Sequence, residues 1–582
     1  MLLWGDTHLH TSFSFDAFLS GNRTTGPDTA YRFARGLPVV HPYTGTRVQL
    51  QTPLDFLVIT DHAEFYGGIR DLYENGINDP DAGVLRQLAY WWGLRDMRQA
   101  IDEGEGPAYF ADQLPEPSDP QAAATRWTEM TAAVPIPGVE RSSNAAWASL
   151  RDAAEANHRP GTFSALLGWE WSSNPGGANL HRIVMTDATP TLAESFQPFG
   201  SDDSPYPEDL WRWLAETEAR TSARFLAIPH NSNISKGLMF ARETLRGEPI
   251  DSDYAAERLR WEPVVEITQI KGDSETHPQF SPDDAFAGFE PYEFYHQQGG
   301  TPRYTPARGD FVRPALGLGL QLEEELGVNP YRFGLIGATD SHTSLATAEE
   351  PNFWGKMAAD SVPARKQQHA LGIGPTGWTM QAGGLAGVWA TENSRAAILD
   401  AFARREVYAT TGPRIRLRLT VELADGASIP MGGTYAARSA EAVPTFVVQA
   451  EKDPQSANLD RIQLIKGWVD TDGKLQEQIV ELAWGGERTL TGGTLQPVGD
   501  TVDRATGRYD NSIGAAALSA RWQDPDFDPQ QRAFYYARVL EIPTPRHSLL
   551  DALALGLEAA TEGPSVIQER AYSSPIWQLP TP

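Results

Sequence analysis

Histidines and carboxylates follow directly after short apolar runs at several points of this chain. The first run, LLWGDTHLH, reaches His8 and His10, and Asp16 comes after the next turn. Imidazole and carboxylate groups are the ligands that Zn²⁺, Mn²⁺ and Fe²⁺ take in proteins, and alternate residues of a strand point to the same face. His8 and His10 could therefore bind one cation. The pair alone fits equally a surface pair or a hydrogen-bonded core pair, so the rest of the chain must decide.

The same pattern recurs along the chain. PLDFLVITDH, FSALLGWE, RFLAIPH and RFGLIGATDSH are apolar runs that each end in histidine or carboxylate. Six of the twelve histidines follow such runs or lie in polar turns beside them. The candidate metal-binding residues are His8, His10, His62, His181, His230 and His342, accompanied by Asp16, Asp61, Glu170 and Asp340. Single members fit ordinary hydrogen-bonded histidines at strand ends, whereas the whole set indicates a metal site.

The runs themselves predict strands, and amphipathic stretches between them predict helices. Runs of four to eight apolar residues bounded by Pro, Gly or polar clusters are typical of buried strands. SNAAWASLRDAAEANHRPG and PEDLWRWLAETEARTSA have helical spacing of their apolar residues. The alternation indicates parallel βα units, and in closed barrels of this kind the reactive residues stand at the carboxyl ends of the strands. Two long stretches, about 63–140 and about 235–330, are predicted insertions that shape a substrate cleft.

From about residue 413 the pattern changes. RIRLRLTVEL, TFVVQAE, RIQLIKGWVD, QIVELAW and FYYARVLEI alternate polar and apolar residues, which is typical of antiparallel strands with one wet face. We therefore expect a barrel-like catalytic domain over residues 1–412 and a smaller β-rich region over residues 413–582 that packs on it.

Composition removes several classes of protein. The chain has 582 residues without cysteine, so thiolate metal sites, disulfides and cysteine nucleophiles are excluded. A formal charge of −28 argues against nucleic acid as a partner. No apolar run approaches the length of a membrane span, and the first residues lack the order of a signal peptide. We expect a soluble, cytoplasmic protein, or a periplasmic one if a leader has been removed.

The motifs, taken in order, resemble those of the PHP (polymerase and histidinol phosphatase) superfamily of metal-dependent phosphoesterases, and more closely those of the DUF3604 family. They are GDTHLHTSFSFDA, ITDHAEF, GWEWSS, NLHRIVM, IPHNSN and ATDSHT, and VEITQIKGDSE, REVYATTGPR and ERAYSSPIW extend the resemblance over nearly the whole chain. The resemblance implies an α/β fold, a distorted (β/α)7 barrel with long insertions.

The resemblance also implies two or three divalent ions of Mn, Zn or Fe. The first would be held by His8, His10, Glu170 and Asp340, the second by Glu170, His181 and His230, and the third by Asp16, His62 and His342. Asp16 stands where some members carry histidine, so the identity and occupancy of the third ion stay open.

The resulting hypothesis is a hydrolase of phosphate, phosphonate or sulfate esters, with attack by a metal-bound hydroxide on a small anionic substrate. The alternatives are an amidohydrolase acting on amide or lactone bonds, and a metal-holding protein that binds a ligand without chemistry.

Three residues beyond the metal ligands are candidates for catalysis. Lys271 would neutralise a substrate oxygen or protonate the leaving group, unless it pairs with Glu266 or Glu275. His277 is either a loop histidine before a proline or a general acid, and Arg414 would reach the site from the domain junction. The sequence leaves the oligomeric state open.

Overall fold

The computed structural model describes residues 1–77, 84–131, 138–298, 304–368, 374–436, 439 and 441–580. The α-helices are α1 (Phe15–Leu19), α2 (Pro27–Ala34), α3 (Gly68–Asn75), α4 (Val84–Glu103), α5 (Gly106–Ala111), α6 (Pro120–Thr131), α7 (Val139–Asn157), α8 (Pro207–Thr221), α9 (Ser252–Trp261), α10 (Val312–Leu326), α11 (Pro363–Lys366), α12 (Arg395–Ala403) and α13 (His547–Ala554). None of the helices in these ranges is long and apolar enough to span a bilayer.

The strands fall into two series. The first is β1 (Leu2–Asp6), β2 (Val39–Val40), β3 (Arg47–Val48), β4 (Phe56–Ile59), β5 (Ser164–Trp171), β6 (Arg182–Thr186), β7 (Phe225–Pro229), β8 (Val264–Gln269), β9 (Gly272–Asp273), β10 (Gly334–Gly337), β11 (Leu385–Trp389) and β12 (Val407–Thr410). The second is β13 (Arg416–Glu422), β14 (Ser428–Pro430), β15 (Thr434–Ala436), β16 (Thr445–Glu451), β17 (Leu459–Val469), β18 (Leu475–Trp484), β19 (Leu490–Thr491), β20 (Thr494–Leu495), β21 (Ala517–Gln523), β22 (Ala533–Glu541), β23 (Thr544–Pro545), β24 (Val566–Ile567), β25 (Arg570–Ser573) and β26 (Ile576–Leu579).

A large mixed sheet runs through both series. Its order is β15-β26-β22-β25-β12-β11-β1-β4-β5-β6-β7, and β17 and β18 extend it from β22. β1, β4 and β5 are parallel, as the βα pattern predicts, but β5, β6 and β7 are antiparallel neighbours. The link from β5 to β6 is a short turn through 172–181, which is too short for the helical crossover that a parallel pair needs. The prediction of uniformly parallel units is therefore wrong at β5–β7.

β8 and β10 are parallel partners in a separate sheet of order β10-β8-β9. β8 lies within the stretch 235–330, between α9 and α10. Because β7 and β8 belong to different hydrogen-bonded sheets in the described residues, closure into a seven-stranded barrel stays a prediction.

The predicted helices are confirmed. α7 buries Trp147, Leu150 and Ala154 on one face and ends just before the Arg159-Pro160 pair, where the residue preceding proline disfavours helix. α8 begins with Pro207 at its first position, where a missing N–H costs no hydrogen bond. Both helices pack their apolar faces on the strands of the large sheet.

The β-rich carboxyl-terminal region is also confirmed, with antiparallel pairs β13–β16, β16–β21, β17–β18 and β17–β22. β13 alternates buried and exposed residues, but β22 is buried along its whole length and β17 nearly so. Leu464 and Tyr535 pack on one side with β13 and β16, whereas Ile465 and Phe534 pack on the other side with α10. The prediction of one wet face is therefore wrong for these two central strands, because both of their faces are covered.

Glu541 at the end of β22 leads to a pH-dependent prediction. Burial raises the pKa of Glu541 from 4.5 to about 8, and its Oε1 has no hydrogen-bond partner in the described residues. Ser456 donates to the other oxygen, and Lys452 and Asp453 are the charged groups that act on it. Because the folded state keeps a proton that the unfolded chain releases, this carboxyl group costs stability as the pH rises from 4.5 towards 8.

We therefore expect Glu541→Gln to gain stability relative to the unsubstituted protein between pH 5 and pH 8, by roughly 1 kcal/mol or more. Urea unfolding at both pH values measures the difference. A difference that stays constant with pH would show that Glu541 titrates normally in the folded protein.

Candidate metal centre

The carboxyl ends of β1, β4, β5 and β10 meet at one place. Leu9 forms a β-bridge with Ser341, and His62 forms one with Glu170. These backbone contacts join the residues that follow β1 to those that follow β10, and the residue after β4 to the end of β5. Side chains from opposite ends of the first 342 residues are thereby brought together.

His8 and His10 point to the same side after β1, as strand alternation predicts. Their Nε2 atoms lie 3.2 Å apart, and both face Asp340 Oδ1 at 3.3 Å. Glu170 Oε2 lies 3.6 Å from His8 Nε2 and 3.2 Å from His10 Nε2. Two imidazoles and two carboxylates thus converge on one point.

Glu170 lies at the centre of the histidines. Its Oε1 is 2.6 Å from His181 Nδ1 and 3.0 Å from His230 Nε2, and its Oε2 is 3.2 Å from His62 Nδ1. Burial alone would raise the pKa of Glu170, but the facing histidines, His62 first, hold that pKa well below its usual value of 4.5. Glu170 is therefore an ionised carboxylate with both oxygens aimed at imidazole nitrogens.

A second carboxylate, Asp16, faces the other side of the histidines. Asp16 Oδ2 lies 2.8 Å from His342 Nε2 and 3.4 Å from His62 Nε2. The rings of His10 and His342 stack with their centres 4.0 Å apart, so this group adjoins the first one. His62 has one ring nitrogen near Glu170 and the other near Asp16, and it therefore links the two groups.

Several histidines are anchored through the ring nitrogen that faces away from the cluster. His8 Nδ1 lies 3.1 Å from Glu266 Oε2, and His10 Nδ1 lies 2.8 Å from Ser14 Oγ, which itself donates to Asp61. His342 Nδ1 lies 3.0 Å from the carbonyl oxygen of Asp340. Such contacts fix the ring orientation and leave Nε2 for a ligand, as is usual for histidines that bind metal.

Two lysines flank Asp340. Lys271 Nζ lies 2.8 Å from Asp340 Oδ2, and Lys356 Nζ lies 2.9 Å from Asp340 Oδ1. Burial would raise the pKa of Asp340, but the two ammonium groups, Lys271 first, hold it well below 3.8. Burial lowers the pKa of Lys356 to about 8. Lys271 therefore pairs with Asp340, and neither Glu266 nor Glu275 is its ion-pair partner.

The backbone is strained at two residues beside the cluster. Asp340 has φ of 57° and Asn231, next to His230, has φ of 48°. Residues other than glycine seldom adopt this left-handed region, and such strain clusters at functional sites. At Asp340 this conformation occurs at the residue whose carboxylate faces His8 and His10.

These residues fit a divalent cation. Three overlapping groups have ligand atoms within 4.8 Å of one another: His10, Asp16, His62 and His342; His8, Glu170 and His230; and His8, His10 and Asp340. In addition, His181 Nε2 and His230 Nδ1 are buried without a hydrogen-bond partner in the described part of the chain. Buried polar atoms are nearly always satisfied. Imidazole and carboxylate together are the donor set of Zn²⁺, Mn²⁺ and Fe²⁺.

The structure brings together all nine side chains that the resemblance assigns to metal, and it adds Lys271 to them. The tenth candidate, Asp61, instead accepts hydrogen bonds from Thr11 and Ser14. It does not bring His277 or Arg414 to this cluster. His277 packs beside Phe280 and Phe311 in a surface turn. Arg414 donates to the carbonyl oxygens of Thr52 and Pro53, which precede β4, at the end of that strand opposite to His62.

Sequence reasoning missed Glu266 and Lys356 as members of the site. Glu266 had a usable signal, because it is a lone carboxylate inside the buried run VVEITQ of β8. Lys356 had none, since it lies in an irregular segment after β10 and reaches Asp340 only through tertiary packing.

Comparison with known proteins gives one family and a distant structural neighbour. No curated protein matches the chain. The crystal structure of a two-domain protein from Bacteroides vulgatus, which contains a predicted PHP-like metal-dependent phosphoesterase, is 11% identical and covers 92% of this chain and 90% of its own, with a TM-score of 0.30. The model of the family described as "Protein of unknown function (DUF3604)" matches residues 1–580, and the chain therefore belongs to that family.

Proposed function

We propose that this protein is a metal-dependent hydrolase of the PHP type that cleaves phosphate, phosphonate or sulfate esters of small molecules. The observation that carries the proposal is the convergence of six histidines, Asp16, Glu170 and Asp340 at strand ends. Five of the histidines and the three carboxylates fall into groups with ligand atoms within 4.8 Å, and the sixth, His181, contacts Glu170. His8, His10 and His342 are anchored through Nδ1, which leaves Nε2 for a ligand, as is usual for histidines that bind metal.

The cluster offers places for two or three divalent ions of Mn, Zn or Fe. The proposed first set is His8, His10, Glu170 and Asp340; the second is Glu170, His181 and His230; and the third is Asp16, His62 and His342. Glu170 belongs to the first two sets because its two oxygens face different histidines.

When bound, such ions lower the pKa of a coordinated water to about 7 and offset negative charge on a tetrahedral centre. The chain itself supplies Lys271 and Lys356, whose ammonium groups each contact one oxygen of Asp340 and can bind a non-bridging oxygen of the ester. Hydrolysis adds the hydroxyl of one water to phosphorus or sulfur, breaks the bond to the ester oxygen, and leaves one proton for the departing alcohol.

Access favours one side of the cluster. His8 and His230 are fully buried, whereas His62 and His181 keep 7% and 8% of their surface exposed. We therefore expect substrate to approach from the side of His62 and His181, while the residues after the first strand supply the buried floor.

The fold supports the same proposal. β1, β4, β5, β6, β7, β8 and β10 are the seven strands that we assign to a distorted barrel, in which β7 packs beside β8 without sharing its sheet. Residues 1–412 would form the catalytic unit with its insertions, and residues 413–582 the β-rich part that packs on it.

A panel of chromogenic phosphate, phosphonate, sulfate and carboxylic esters, assayed with Mn²⁺ and again after chelation, tests the function. We expect turnover of at least one phosphorus or sulfur ester, lost on chelation and restored by Mn²⁺. Turnover of carboxylic esters, lactones or amides alone would instead support an amidohydrolase. No turnover above free Mn²⁺, with metal retained in the protein, would support a ligand-binding protein.

Lys271→Met tests the role of the ammonium group. We expect kcat to fall by roughly 10²–10³, the range seen when one preorganised charge at a transition state is removed. Metal content should remain near that of the unsubstituted protein, because Lys271 is not among the proposed ligands. His277→Gln is the matched control and should leave kcat unchanged, since His277 lies in the turn beside Phe280. Equal losses in both variants would contradict the assignment.

A further inference from the structure

A cavity of about 560 Å³ adjoins the metal centre at Lys356. Lys356 lines the cavity and also contacts Asp340 and His342, so the inner end of the cavity and the edge of the cluster share one side chain. A cavity of this size is in the range that encloses a small organic ligand.

The walls come from three separate segments of the chain. They are residues 107–114 at and after α5, residues 292–298, and residues 356–368 with 374–380. The first two are tied together by Gln298, whose Nε2 donates to the carbonyl of Asp112 at 2.6 Å and whose backbone N–H donates to that of Pro115. Both stretches that the sequence analysis interpreted as insertions therefore contribute a wall.

The walls are rich in aromatic and apolar side chains. These are Phe110, Leu114, Tyr292, Phe294, Tyr295, Met357 and Met380. The ring of Phe110 lies 5.7 Å from that of Phe15, and Phe15 stacks on His62 at 4.8 Å. Phe15 therefore contacts both Phe110 of the cavity wall and His62, a proposed metal ligand.

The lining of the cavity includes one ammonium group and two carboxyl groups. Among its described lining residues, Lys356 is the one ammonium group, and it lies where the cavity meets the cluster, in contact with Asp340. Asp112 and Asp360 belong to the lining as well. A ligand with a single anionic head placed at Lys356 fits this lining.

We propose that this cavity binds the aromatic alcohol portion of the substrate, so that the substrate class is the aryl or arylalkyl monoesters of phosphoric, phosphonic or sulfuric acid. The inference rests on the proposed function. The acidic head lies at Lys271, Lys356 and the metal centre, and the ring lies against the aromatic wall that includes Phe110 and Phe294. Breaking the ester bond leaves the acid at the metal centre and the protonated phenol or alcohol in the cavity.

The test uses binding as well as turnover. Phenylphosphonate and methylphosphonate carry the same head and differ by the ring, and calorimetric titration of Mn²⁺-loaded protein measures both. We expect phenylphosphonate to bind about tenfold or more tightly, since burying one aromatic ring contributes that much. Phe294→Ala should reduce this preference severalfold and leave methylphosphonate binding unchanged. Phe110→Ala should act similarly, and its melting temperature is checked because Phe110 also packs on Phe15.

The matched control is Trp91→Ala, an exposed aromatic residue of α4 outside the cavity lining, which should alter neither affinity. Equal affinity of the two phosphonates, or a preference that survives Phe294→Ala, would overturn the inference even if ester hydrolysis is found. Failure of all esters to turn over, with the ring preference intact, would instead overturn the proposed function and leave the cavity assignment standing.

Discussion

Replacing Glu170 by Gln is expected to remove bound metal and activity together. Glu170 places its two oxygens within 3.2 Å of His10, His62, His181 and His230. The amide keeps the shape but loses the negative charge, and its NH₂ group cannot coordinate a cation. We expect turnover to fall by about three orders of magnitude or more, to the level without metal. Elemental analysis of protein purified without chelators, beside ester turnover, measures both.

Glu541→Gln is the matched control, because it makes the same change at another buried glutamate. Burial raises the pKa of Glu541 to about 8, so its carboxyl group is largely neutral at pH 7 and an amide replaces it closely. Metal content and turnover should both be retained. Turnover that survives Glu170→Gln in metal-free protein would contradict the metal assignment altogether.

The site could be predicted from the sequence to the extent that its residues follow strands. His8, His62, Glu170 and Asp340 each stand at or just after a buried apolar run, and parallel strands carry such positions to one edge. Lys356 could not be predicted, because only tertiary packing brings its irregular segment onto Asp340. The spacing of residues along the sequence also does not show at which end of a strand the side chains of a distant loop will lie.

Arg414 illustrates that last limit. Its segment TTGPR follows β12, but its guanidinium group donates to the carbonyl oxygens of Thr52 and Pro53, which precede β4. In the fold, period-two alternation identified the strands after 413. It could not show that β17 and β22 are covered on both faces, because the covering α10 lies more than a hundred residues earlier.

The second large effect is expected from Arg538, in a buried ion cluster between β22 and the turn after β9. Arg538 Nη1 lies 2.9 Å from Glu275 Oε2, and its Nη2 lies 2.7 Å from Asp284 Oδ1; Arg313 pairs with the same two carboxylates. All four side chains are at most 3% exposed. Removing one partner of a buried pair leaves uncompensated charge, which typically costs about 3–5 kcal/mol.

We therefore expect Arg538→Met to lower the free energy of unfolding by about 3–5 kcal/mol at neutral pH, measured by urea denaturation. Arg521→Met is the control, because Arg521 pairs with Glu422 on the exposed surface, and little change is expected there. Comparable losses of unfolding free energy in the two variants would show that Arg538 stabilises the protein no more than an exposed arginine does.

The pH dependence distinguishes lost charge pairing from lost packing. Burial would raise the pKa of Glu275 and of Asp284, but Arg538 and Arg313 lower both pKa values below 4.5 and 3.8. A carboxylate whose pKa is depressed in the folded protein stabilises it fully above the ordinary pKa of the unfolded chain. This stabilisation is lost as the pH falls from the ordinary pKa through the depressed one. The deficit of Arg538→Met should therefore be full at pH 7 and shrink below about pH 4. A stability deficit that does not change with pH would mean that Arg538→Met destabilises the protein through altered packing. It would also mean that Arg538 does not lower the pKa values of Glu275 and Asp284.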